Sequence, residues 1–241
     1  MPRAIVIGSS SGIGWSLARV LAREGYDVGL AGRRVEQMEE LRREIGGRAV
    51  VRRLDLTVPT EARQGLRELL EEMGDVDLIV VNSGVGYSDP DWEQEKEILA
   101  VNVVGFAAMA NLALEYFIGR GVGQLVGISS ISALRGLAAA YSGSKAFASI
   151  YLEGLRLKVD RLGVDVQVLD VKPGFVATPM TAGRTDMFWV ASADRAARQI
   201  YQAIRKRRRH VYVTRRWRLI AWMMKSLPYS LVARLSGKRR S

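Results

Sequence analysis

Ala4-Ile5-Val6-Ile7-Gly8-Ser9-Ser10-Ser11-Gly12-Ile13-Gly14 is the stretch that decides the fold. Its first four residues are apolar and three of them are β-branched, which predicts a short strand buried on both faces. A glycine and serine turn follows, and then Ile13 to Glu24 shows the spacing of an amphipathic helix. In such a turn Gly8 permits a tight exit from the strand, Gly12 lets the backbone approach a pyrophosphate, and Gly14 allows close packing of the helix. Ser10, Ser11 and Ile13 complete the loop. The first N–H groups of the helix and the positive end of its dipole then face the phosphate oxygens. A loop of this kind is a weak sign by itself, and its place between a strand and a helix is what favours phosphate binding.

Outward from this unit the same alternation recurs. Apolar runs at Val28–Ala31, Ala49–Val51, Leu78–Val81, Leu125–Ile128 and Val164–Val171 predict further strands. Helical periodicity fills the gaps at Glu36–Ile45, Thr60–Met73, Gln94–Phe117 and Tyr141–Leu162. Strand and helix in strict alternation imply right-handed parallel crossovers. The predicted fold is therefore a single-domain, Rossmann-type doubly wound parallel α/β sheet, three layers deep. Such sheets bind ligands beyond the carboxyl ends of their strands.

Composition removes several classes of chemistry. The chain of 241 residues has no Cys and a single His, His210. That excludes disulfides, thiolate metal sites, Cys nucleophiles and a multi-histidine centre, and no metal site is expected. His210 stands beside the basic run Arg205 to Arg209, where an exposed, non-catalytic role is expected. The apolar run after Met1-Pro2-Arg3 is too short and wrongly flanked to be expected as a signal peptide.

The formal charge of +11 is concentrated at one end. Residues 195–241 hold 15 Lys and Arg and no acid, leaving 21 basic and 25 acidic residues elsewhere. A mildly acidic body thus carries a basic tail, which points the tail, rather than the fold, toward anionic partners.

Two further stretches carry chemistry. In Tyr141-Ser142-Gly143-Ser144-Lys145 a phenol and an ammonium stand four residues apart, on one face if the run is helical. A fixed cation there is expected to lower the phenol pKa toward neutrality. In Leu30-Ala31-Gly32-Arg33-Arg34 the second strand ends without the carboxylate that would bond the ribose hydroxyls of NAD. Arg33 and Arg34 could clamp a 2′-phosphate instead, which favours NADP(H) over NAD(H).

With the glycine loop, Asp55-Leu56 after the third strand, Asn82-Ser83-Gly84 after the fourth and the Tyr/Lys pair in this order, the chain resembles the short-chain dehydrogenase/reductase family. The resemblance covers about Ala4 to Met180 and runs more loosely to Val213. It implies that Tyr141 is the general acid or base and that Lys145 lowers its pKa and binds the nicotinamide ribose. It implies that Ser130 bonds the substrate oxygen and that Asn102 supports a water relay behind the lysine. Asp55 and Leu56 would lie at the adenine, and Asn82 and Gly84 beside the adenosine ribose. Pro173, Gly174, Val176 and Thr178 would clasp the nicotinamide carboxamide. A small carbonyl or alcohol substrate and a dimer or tetramer are implied as well.

Two departures stand out. Ser130 lies only 11 positions before Tyr141, a shortened interval that leaves Ser129 and Ser132 as alternatives. Ser83 replaces the alanine usual beside Asn82.

The domain is expected over residues 1–214, with a substrate-covering loop at about 179–193 and a basic, amphipathic extension at 215–241. Met, Phe and Trp in the loop suggest an apolar or bulky substrate, or serve only to pack the loop on the body. Arg184 meets an anionic substrate group or is solvated, and solvation is the expectation. In the extension, Leu219 to Met224 is flanked by Arg215, Arg216, Arg218 and Lys225 and accompanied by Trp217, Trp222 and Tyr229. That composition suits a helix lying on an anionic membrane, and it equally suits a helix packed on the body or on a partner subunit. Specific nucleic-acid binding is not expected. The expected function is an NADP(H)-dependent oxidoreductase in the cytoplasm, with peripheral contact at the inner face of the membrane if the tail binds lipid. The alternative is a dinucleotide-binding scaffold or sensor without turnover.

Overall fold

Hydrophobic strands joined by amphipathic helices stack as the alternation dictates. The computed structural model describes residues 1–185, 187–228 and 230. Asp186 of the substrate-covering loop, and Tyr229 and residues 231–241 of the extension, lie outside the described residues. The chain runs β1 (Arg3–Ile7), α1 (Gly12–Arg23), β2 (Asp27–Gly32), α2 (Val35–Ile45), β3 (Ala49–Arg53), α3 (Pro59–Met73) and β4 (Leu78–Val81). It continues through α4 (Trp92–Leu99), α5 (Phe106–Arg120), β5 (Val122–Ile128), α6 (Ala139–Leu162) and β6 (Asp165–Pro173). The last elements are β7 (Val176–Ala177), β8 (Ala191–Ser192), α7 (Ala193–Arg205), β9 (His210–Val213) and α8 (Trp217–Ser226).

Seven strands form one parallel sheet in the order β3-β2-β1-β4-β5-β6-β9. The order reverses between β1 and β4, so the connections leaving these strands diverge and open a crevice at their carboxyl ends. Residues alternate along each strand between two cores. Ile5, Ile7, Ile79 and Val81 face the layer of α3, α5 and α6, where Leu66, Phe106, Phe117 and Leu152 are buried. Ala4, Val6, Val80 and Val171 face α1, α2 and α7, where Leu17, Met38 and Ile200 are buried. Each fully buried Leu, Ile or Phe contributes about 1.5–3 kcal/mol. The chain is a single three-layer α/β domain.

The helix expected over Gln94–Phe117 is not continuous. Ala100–Gly105 is wound as a π-helix between α4 and α5. The wider turn shifts the register of the helix, and it carries the buried Asn102. The stretch Trp92–Arg120 is long and apolar enough to span a bilayer by composition, but α5 within it is a core helix against the sheet.

At the far end, α8 lies against the body. Trp217 and Ala221 are 2% exposed and pack with Ile131, Phe175, Tyr212, Ile220 and Met224. Packing on the body thus describes the inner face of this helix.

Candidate active site

The crevice between β1 and β4 is a cleft of about 510 Å³. Gly8, Ser10, Ser11, Gly12, Ile13, Arg33, Arg34, Leu56, Asn82 and Gly84 line one part of it. Ser130, Tyr141, Lys145, Pro173, Gly174, Val176 and Thr178 line the other. The remaining three expected residues, Gly14, Asp55 and Asn102, stand directly behind its wall.

The glycine loop is built by close approach. Gly8 has φ +90°, and a Cβ on Gly14 would lie 2.1 Å from the Gly8 carbonyl oxygen. Asn82 at the end of β4 donates through Nδ2 to that same carbonyl at 2.8 Å and locks the loop to the neighbouring strand. The start of α1 is thereby aimed into the cleft with its N–H groups free of side-chain caps. A dinucleotide pyrophosphate fits this cradle, and a side chain at Gly14 would collide with the Gly8 carbonyl and the Asn82 amide that shape it.

The two arginines part company. Arg34 donates from Nη2 to the hydroxyls of Ser10 and Ser11 at 2.9 and 2.7 Å, and from Nε to Ser10 at 3.1 Å. Its guanidinium is held at the rim of the glycine loop. Arg33 instead donates to Glu97 at 3.0 Å, and Tyr87 donates its hydroxyl to the other oxygen of that carboxylate. The sequence pattern gave no sign of Glu97, because it comes from α4, 64 positions away. Asp55 accepts at Oδ1 from the backbone and hydroxyl of Thr57, at 3.0 and 2.7 Å.

At the other end, α6 places Tyr141 and Lys145 on one face toward β5. The Lys145 ammonium is buried and donates to the Ile128 carbonyl at 3.1 Å. Burial pulls its pKa down to about 8, with the Asp170 carboxylate opposing. The Tyr141 phenol moves the other way from the expectation. Burial raises its pKa, while a hydrogen bond with Ser130 and the positive charge of Arg184 oppose the rise. Lys145 lies 5.8 Å from the centre of the Tyr141 ring. Burial outweighs both opposing groups.

The serines separate cleanly. Ser130 is the one bonded to Tyr141, and its oxygen also accepts from the Ser132 backbone at 3.0 Å. Ser129 turns back to donate to Asp170, which also accepts from Ser149 at 2.7 Å and pairs with Lys172. Asn102, at the π-turn, accepts from Val85 N–H at 2.8 Å and donates to the Val85 carbonyl at 2.8 Å and to Ser144 at 3.2 Å. It pins the strand β4 exit to α6.

Arg184 is exposed, with its guanidinium 5.3 Å from the centre of the Phe175 ring. Met180 and Thr181 line the cleft, and the Thr181 hydroxyl donates to the Val176 carbonyl at 2.8 Å. Among the described residues no cluster of His, Asp and Glu could hold a metal.

A family model described as short chain dehydrogenase matches residues 2–188. An uncharacterized oxidoreductase of Myxococcus xanthus is 43% identical over 188 residues, 74% of each chain. One of Mycobacterium tuberculosis is 33% identical over 193 residues, 75% of each chain. Among solved structures, an alcohol dehydrogenase from Thermococcus sibiricus complexed with 5-hydroxy-NADP superposes with a TM-score of 0.78 at 25% identity, covering 88% of this chain and 95% of its own. A Burkholderia phymatum protein in complex with NAD gives 0.81 at 19% identity, covering 91% of both chains, which shows the fold alone.

Proposed function

The chain belongs to the short-chain dehydrogenase/reductase family, and on that premise we propose that it is an NADP(H)-dependent oxidoreductase acting on a carbonyl/alcohol pair, with Tyr141 as the proton carrier. The observation that carries the proposal is one cleft holding Arg34 on the glycine loop at one end and Ser130, Tyr141 and Lys145 at the other. When bound, the nicotinamide supplies hydride to a carbonyl carbon or takes it from an alcohol.

The residues divide the remaining work. Ser130 and Tyr141, hydrogen-bonded to each other, are the two hydroxyls that would meet a substrate oxygen. A phenol whose pKa is raised by burial stays protonated at neutral pH, which suits it to donate a proton during carbonyl reduction. Lys145, still cationic below about pH 8, compensates the charge that develops on Tyr141 and bonds the nicotinamide ribose. Asn102 holds the backbone behind Lys145, and Pro173, Gly174, Val176 and Thr178 form the wall for the carboxamide. Asp55, Leu56, Asn82 and Gly84 belong to the adenosine end.

The NADP(H) preference rests on Arg34, a guanidinium fork fixed beside the loop where a ribose phosphate would meet it, and on the absence of a carboxylate at the end of β2. The convergence of four catalytic candidates supports an enzyme over a dinucleotide-binding scaffold. The apolar lining from Met180 and Val176 supports an apolar substrate. A homo-oligomer would pair through the outer face of α6, where Ile150 is 68% exposed beside Phe147 and Leu155. A cytoplasmic location with peripheral contact at an anionic membrane belongs to the same proposal. Titration with NADPH and NADH, followed by a carbonyl screen monitored by NADPH oxidation, tests it. NADPH should bind at least about tenfold more tightly than NADH, from the charge-assisted bonds of one arginine. Binding of NADPH no tighter than that of NADH would overturn the NADP(H) preference, and binding of neither nucleotide would overturn the proposal.

A further inference from the structure

Resting on the reductase proposed above, we infer that the outer face of α8 and the aromatic loop beside it form a docking surface for an anionic phospholipid membrane, from which the cleft takes a lipid-soluble carbonyl or alcohol.

Helix α8 is apolar on two opposite faces. At about 100° per residue, Trp217, Ile220, Ala221 and Met224 share one face, and that face is packed on the body. Leu219, Trp222 and Met223 lie opposite and are 69%, 73% and 45% exposed. A surface helix ordinarily turns a polar face outward. Large side chains gathered in the open mark an interaction surface rather than a packing accident.

The patch continues toward the cleft. Phe188 and Trp189 of the substrate-covering loop, about two-fifths exposed, meet Trp217 with ring centroids 5.1 and 6.1 Å apart. The Arg216 guanidinium lies 5.0 Å from the centre of the Trp189 ring. Arg135, from the segment joining Ser130 to Tyr141, donates to the carbonyls of Met224 and Leu227. The outer helix is thus tied both to the loop over the cleft and to the segment that carries the catalytic hydroxyls.

Charge selects the occupant. Arg215 and Arg216, just before α8, and Arg218 in its first turn are exposed, and residues 195–241 contain no Asp or Glu. A second copy seated symmetrically on this face would bring Arg215, Arg216 and Arg218 against their own counterparts, with no acid from residues 195–241 to answer them. Anionic headgroups answer it, and tryptophan is favoured at the level of those headgroups. The helix is far shorter than a span of ~20 residues, so it lies on the membrane rather than crossing it.

Co-sedimentation of the full chain with vesicles of phosphatidylglycerol and phosphatidylcholine, against pure phosphatidylcholine, tests the surface. NADPH affinity and sedimentation velocity without lipid are measured on the same samples. Wild type should pellet with the anionic vesicles, and at least about tenfold less with the neutral ones. The double variant Leu219→Ser, Trp222→Ser should pellet about tenfold less than wild type on anionic vesicles while binding NADPH unchanged, since both side chains are exposed and outside the cleft. Equal pelleting of the variant, no preference for anionic vesicles, or a lipid-free dimer that the variant dissociates would overturn the surface. NADPH binding that fails while pelleting holds would overturn the reductase and leave the surface standing, so the two outcomes stay separate.

Discussion

The buried ammonium of Lys145 gives the sharpest quantitative test of the site. Burial holds its pKa at about 8, against 10.5 for an unhindered lysine, with Asp170 opposing the fall. At 1.36 kcal/mol per unit, the folded chain carries about 3 kcal/mol of cost for keeping this cation dry. The sign follows from proton binding. Below pH 8 the lysine is charged in both the folded and the unfolded chain, and the full cost is present. Between pH 8 and about 10.5 the unfolded chain binds more protons, so stability rises with pH, and above that range the cost is gone. Lys145→Met removes the charge and hence the pH dependence. Urea unfolding of both proteins without nucleotide, at pH 7, 8.5 and 10.5, measures the effect. The stability of the variant minus that of wild type should be largest at pH 7 and should shrink by about 3 kcal/mol by pH 10.5. Taking this difference cancels the groups that titrate independently of Lys145. A difference that stays constant across the three pH values would mean that the ammonium is solvated, and the electrostatics argued for the site would be wrong.

Other outcomes follow from single contacts. Arg34→Ala should weaken NADPH binding by about tenfold to a hundredfold and leave NADH nearly unchanged, because a charge-assisted bond to phosphate contributes about 1.5–3 kcal/mol; calorimetric titration with both nucleotides decides it. Gly174→Ala should destabilise the chain by about 1–3 kcal/mol, the usual cost of overpacking, and redden tryptophan emission. Its Cβ would lie 2.0 Å from the Trp217 ring, so the indole must move. Unchanged emission and stability would show that the Trp217 ring does not pack against Gly174.

Much of this molecule is legible in its sequence because strand, glycine loop and helix are each local patterns. The strands Leu78–Val81 and Leu125–Ile128 and the helix opening at Tyr141 needed only their own residues to be placed. The elements after residue 190 were harder. Helix α7 buries Ala196, Ala197, Ile200, Ala203 and Ile204, a stripe with only two large side chains, set among basic residues. Strand β9 has four residues and takes its edge position from β6. The π-turn around Asn102 is a matter of register within an apolar run, which residue types alone do not set. In the site, the expected residues gather in or behind one cleft. What spacing could not supply were the partners from distant elements: Glu97 on Arg33, Asp170 on Ser129, and Trp217 against Gly174. The upward shift of the Tyr141 pKa belongs to the same class, since it depends on how much of the cleft closes over the phenol.

The central claim is that Tyr141 carries the proton in a reaction whose hydride moves to or from a bound nicotinamide. Tyr141→Phe removes one hydroxyl and keeps the ring, and turnover of the best carbonyl substrate is measured beside NADPH affinity. Turnover should fall by about 10²–10⁴, the usual contribution of a positioned acid, with NADPH binding within about twofold of wild type. Turnover that survives the substitution unchanged would contradict the role given to Tyr141 and the mechanism built on it.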